Sequence, residues 1–97
     1  MNSEKAIALI INEFKRATSM YGAFNSAHEG YAALLEEVDE LWDEVKKNPK
    51  KRDYEAMKKE AVQVGAMAFR FLVDVIEEVP TTSGKPDNSG EAKPCKE

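Results

Sequence analysis

The chain has a single cysteine in 97 residues, Cys95, close to its end. That rules out a disulfide framework and a Cys/His zinc spacing as the source of the fold. Basic residues are not in excess either: 14 lysines and arginines against 18 aspartates and glutamates leave a net charge of -4, a balance unsuited to gripping a nucleic acid polymer. No apolar run approaches the roughly 20 residues needed to span a bilayer. Residues 1–8 also lack a basic segment followed by a long apolar stretch. A cytoplasmic protein with no membrane and no nucleic acid partner is expected. No internal repeat is present.

What is present is helical periodicity. Ala6, Ile7, Ile10, Ile11, Phe14 and Ala17 recur at helical spacing, which predicts an amphipathic helix over residues 4–18. A loop with Gly22 and Asn25 follows. Ser26, with Glu29 three positions on, then has the form of a capping box opening a second helix over 27–47. The apolar stripe of that helix is Tyr31, Leu34, Leu35, Val38, Leu41, Trp42 and Val45, with Val38 at its centre and Trp42 read as core. Asn48-Pro49 ends it. The cationic run Lys46, Lys47, Lys50, Lys51, Arg52 spans a helix end and a turn, where such charges complement the helix C-terminus. Asp53 caps a third helix over 54–78, which Pro80 closes.

Between Glu60 and Ile76 the third helix is apolar almost all round, and a helix of that kind requires burial on several sides. A domain this short cannot supply all of it. The expected fold is therefore all-α, a bundle of about three helices whose core is completed by homo-oligomerisation through helix three, as a homodimer or homotetramer. Residues 1–80 form the domain. Residues 81–97, rich in Pro, Gly, Ser and Lys, read as a disordered tail.

The chemistry is carried by carboxylates. The second helix holds Glu29, Glu36, Glu37, Asp39, Glu40, Asp43 and Glu44 before Val45, with no Lys or Arg among them. Like charges four apart oppose helix formation by about 0.2–0.5 kcal/mol per pair, so this surface is built to meet a cation. On the third helix Glu60, Gln63, Arg70 and Asp74 line up with Met67 in one polar stripe. If the two helices form an antiparallel hairpin, Glu40 and Glu60 lie at similar distances from the turn and face each other, with Glu37 opposite Gln63 one turn further on. Carboxylates without histidine or thiol suit a hard cation, Mg2+ or alternatively Mn2+, and an open acidic cluster of this kind is where a triphosphate chelate docks.

These residues resemble a known pattern. Glu36-Glu37-Val38-Asp39-Glu40 resembles the EExxE segment, and Glu60-Ala61-Val62-Gln63 the ExxD segment, of the MazG-like all-alpha nucleotide pyrophosphohydrolases, over about residues 24–74. The resemblance implies an oligomeric helical bundle that hydrolyses a nucleoside triphosphate to the monophosphate and pyrophosphate. It implies Glu37, Glu40 and Glu60 as metal ligands, and Glu36 as a further ligand or as the group that orients the attacking water. Gln63 stands where the family has aspartate. Its carbonyl can coordinate but cannot neutralise charge. Phe24, Asn25, His28, Lys59 and Arg70 are candidate substrate contacts, although Arg70 and Asp74, four apart, can instead pair with each other. The alternative is a catalytically weakened helical module that binds a nucleotide or metal, or that only oligomerises.

Overall fold

The computed structural model describes residues 1–76. Within them lie three α-helices and no strand: α1 (Ser3–Met20), α2 (Ala27–Val45) and α3 (Tyr54–Val75), with a single 3-10 turn, Pro49–Lys51, between the last two. The expected tail, and Pro80 as the terminator of α3, lie outside the described residues. The all-α expectation holds. None of these helices is long and apolar enough to cross a membrane.

Each helix starts where a side chain can satisfy its free amides. The Asn2 side chain accepts from the Lys5 amide, Ser26 from Glu29, and Asp53 from both Glu55 and Ala56. The Glu29 carboxylate reaches back to the Asn25 amide, so the predicted capping box closes one residue earlier than its usual form. α2 stops at Val45, two residues before the expected end, because Lys46 and Lys47 fold back onto Asp43 and Glu44 while Arg52 Nε donates to the Val45 carbonyl at 3.0 Å. The cationic run thus serves the helix end.

α3 lies between the other two helices and packs on both, whereas α1 and α2 form no interface with each other. On the α1 side, Phe14 meets Phe69 with ring centroids 4.6 Å apart, and Ile10 closes over Gly65. On the α2 side, Gly30 lies so close to Phe71 that a Cβ there would stand 2.7 Å from the ring, which is why this buried position carries no side chain.

The core is thin. Among the described residues the buried apolar side chains are Ala17, Ala66 and Met67, and Arg70 is buried with them. Tyr31, Leu35, Val38 and Trp42 remain 59, 41, 40 and 57% exposed. This corrects two expectations: Trp42 is not core, and Val38 is not the centre of the buried face. α2 turns Leu34, Glu37, Leu41 and Glu44 inward instead, because hydrophobicity alone does not distinguish a carboxylate that faces a neighbouring helix from one that faces solvent.

Candidate metal centre

Two caps and one turn set the register of the α2–α3 hairpin, and the register brings carboxylates together. Glu37 and Glu40 come from α2 and Glu60 from α3, and each offers an oxygen within 4.8 Å of the others. They line one side of a cavity of about 900 Å³, with Glu36 and Gln63 beside them. Lys59, Arg70, Phe24 and Asn25 line the same cavity. His28 is exposed and does not line this cavity, so its expected substrate contact has no support in the geometry.

The electrostatics of the trio are unfavourable without a cation. The Glu37 carboxyl is pushed up to about 7, first by burial and then by the negative charges of Glu40 and Glu60. Glu60 is raised as well, by burial and by its hydrogen bond and charge contact with Glu40. One oxygen of Glu37 is buried with no hydrogen-bond partner. Three oxygen donors, one of them orphaned, with no imidazole or thiolate among them, fit a hard divalent ion such as magnesium.

This sets a pH dependence. The folded ion-free protein holds a proton on Glu37 that the unfolded chain, with an ordinary value of 4.5, has already released. Folding therefore takes up a proton between about 4.5 and 7, and stability falls as pH rises through that window. The melting temperature of the ion-free protein is expected to drop between pH 5 and pH 8. Saturating magnesium should flatten the drop, and Glu37→Gln should shrink it. A melting temperature that rises across this range and is indifferent to Glu37→Gln contradicts the assignment.

The opposite wall of the cavity is a loop clamped to α3. Arg70 is 4% exposed, and its Nη2 donates to the Gly22 carbonyl at 2.7 Å while its guanidinium lies 4.3 Å from the centre of the Phe24 ring. The Phe24 amide donates to Asp74 Oδ2 at 3.1 Å, and Arg70 and Asp74 approach to 3.9 Å. Arg70 thus pairs loosely with Asp74 and more tightly with the loop. Its Nε is buried without a partner.

Sequence reasoning missed two members of this region, Glu13 and Arg16 of α1. Arg16 lines both cavities and donates through Nε to Glu13 at 2.9 Å, and Glu13 and Gln63 share the second cavity with it. Only the packing of α1 on α3 brings Arg16 to the acidic cavity and Glu13 to the one beside it, and periodicity does not specify that register. No family model, curated protein or solved structure matches this chain.

Proposed function

We propose that the protein is a magnesium-dependent nucleoside triphosphate pyrophosphohydrolase. The observation that carries this reading is the convergence of Glu37, Glu40 and Glu60, from two helices, on a cavity that also contains the buried guanidinium of Arg70. The resemblance of the EExxE and ExxQ segments to the MazG-like pattern supports it.

Glu37, Glu40 and Glu60 would hold the ion. When bound, magnesium supplies positive charge that neutralises phosphate oxygens. Exposed Glu36, at the cavity lining, accepts the proton of the water that attacks the α-phosphorus. The new bond joins that water oxygen to the α-phosphorus, the α–β bridging bond breaks, and pyrophosphate leaves. Lys59 sits beside Glu60 to meet phosphate oxygens, and Phe24 and Asn25 form the loop side where a base and sugar rest.

The test is to incubate the full chain with each common and deoxy nucleoside triphosphate plus magnesium and identify the products. Monophosphate with pyrophosphate is expected. Free phosphate, or no product, overturns the proposal. Stabilisation by magnesium nucleotide without pyrophosphate release would instead identify a binding module.

A second copy of the chain is part of this proposal. Tyr31, Leu35, Val38 and Trp42 recur at steps of four, three and four, a stripe that a stable monomer rarely leaves open. Leu72 and Val73 of α3, and Ile76 just after it, are also more than half exposed. The proposed contact therefore involves α2 as well as α3. Trp42→Glu is expected to convert the oligomer to monomer in sedimentation equilibrium. An unchanged mass would exclude α2 from the contact.

A further inference from the structure

Two adjoining cavities divide the charges of this region between them. The first holds the glutamate trio, and five carboxylates in all line it. The second, about 600 Å³ in the groove between α1 and α3, is lined by three cations, Arg16, Lys58 and Lys59, against the single carboxylate of Glu13. Arg16, Lys59 and Gln63 line both, so the two spaces meet along that edge.

A nucleoside triphosphate brings several negative charges into this region. One divalent ion cannot answer both those and five carboxylates, so phosphates beyond the ion's reach need cations of the protein. In the first cavity the unshared cation is Arg70, and it is already committed, with Nη2 on the Gly22 carbonyl and the guanidinium over the Phe24 ring. The cations of the second cavity are freer. Arg16 directs Nε and Nη2 to Glu13, which fixes the guanidinium, while Nη1 meets the Met20 sulfur at 3.0 Å, a weak acceptor that a phosphate oxygen can replace. Lys58 pairs with Glu55, whose side chain is 82% exposed, and a surface pair of that kind holds its members weakly. Lys59 belongs to no ion pair among the described residues. Leu9 and Val62 add apolar wall, beside which charge contacts are screened less than at an open surface.

We infer that the groove between α1 and α3 is a binding site for a diphosphate group, in which Arg16 from one wall and Lys58 and Lys59 from the other hold the β- and γ-phosphates of the substrate and then the departing pyrophosphate. For the identity of the substrate the inference rests on the proposed activity, whereas the separation of charge is independent of it. Cations on two walls, from different helices, suit an anion with two phosphate groups better than a single phosphate. The edge shared by the cavities is then where the α–β bond lies. On one side of it the α-phosphate faces the acidic trio and its ion, and on the other the leaving group faces the cations.

The test is calorimetric titration of the full chain with sodium pyrophosphate, in EDTA and at fixed ionic strength, in wild type, R16Q, K58E and K15Q. Without metal the acidic cavity repels pyrophosphate, so binding reports on the groove. Wild type is expected to bind pyrophosphate at least about 10-fold more tightly than inorganic phosphate, and R16Q and K58E each to lose about 10-fold in pyrophosphate affinity, the scale of one charge-assisted hydrogen bond. Lys15 adjoins Arg16 in sequence but lines neither cavity, so K15Q should change nothing. Equal losses in K15Q and R16Q, undiminished binding in R16Q and K58E, equal affinity for phosphate and pyrophosphate, or no binding by wild type each overturn the inference. If circular dichroism shows that R16Q has lost its helices, K58E, at an exposed position of α3, decides: weaker binding supports the site and unchanged binding overturns it. The product assay judges the activity separately. Pyrophosphate release together with undiminished binding in R16Q and K58E leaves the enzyme standing and removes the groove from it, whereas groove binding without turnover supports the diphosphate site and overturns the activity.

Discussion

Glu60→Gln is expected to lower pyrophosphate release from a magnesium nucleoside triphosphate by at least about 100-fold, the scale of losing one preorganised electrostatic partner of the transition state. Glu60 is the carboxylate that α3 contributes to the trio, and glutamine keeps its size while removing its charge. The same change should have the opposite effect on stability. Burial and Glu40 already raise the Glu60 carboxyl, so its charged form is disfavoured in the ion-free fold. A neutral amide relieves that repulsion, and the ion-free melting temperature at pH 8 should rise while the increase on adding magnesium shrinks. A residue kept for packing would lose stability when altered. One kept for a cation gains it. Retention of more than about a third of the activity in a fully helical variant would remove Glu60 from the mechanism.

The opposition of Glu40 and Glu60 was legible in the sequence because three local signals fix it. Ser26 starts α2, Asn48-Pro49 opens the turn after it and Asp53 starts α3, so residue counts from the turn translate directly into height along the hairpin. The rotation of α2 was less legible. Periodicity ranks Val38 and Trp42 as inward residues, whereas the helix turns the flank with Glu37 and Glu44 toward α3 and leaves Tyr31, Leu35, Val38 and Trp42 more exposed. A hydrophobic stripe wider than one neighbour can cover has no unique facing direction, and a second copy would cover the remainder. Contacts between distant parts of the chain were not legible at all. Glu13 and Gln63 come to line one cavity, and Gly22 meets Arg70, only after α1 and the loop have docked on α3. Nothing in the local spacing of either partner specifies where it docks.

The loop clamp carries the other large effect. Arg70→Met is expected to lower stability by about 3–5 kcal/mol, the cost of leaving one member of a buried charged pair alone. Against a total stability on the order of 5–15 kcal/mol, that is a large share of what holds the fold. The loss has two parts. The Gly22 carbonyl loses its donor, and Asp74, whose side chain is 11% exposed, retains its charge with only the Phe24 amide to answer it. The second part is reversible by design: Asp74→Asn keeps an oxygen for the Phe24 amide and removes the unanswered charge. The double variant Arg70→Met, Asp74→Asn should therefore be more stable than Arg70→Met alone, a coupling read directly from denaturant midpoints. Arg70→Lys should not substitute, because an ammonium lacks the several fixed donors by which a guanidinium holds the Gly22 carbonyl while it sits over the Phe24 ring. If Arg70→Met unfolds at the wild-type midpoint, the guanidinium is not what fastens the loop. Its burial would then be left to a role toward the ligand, and magnesium nucleotide affinity would be the quantity that falls.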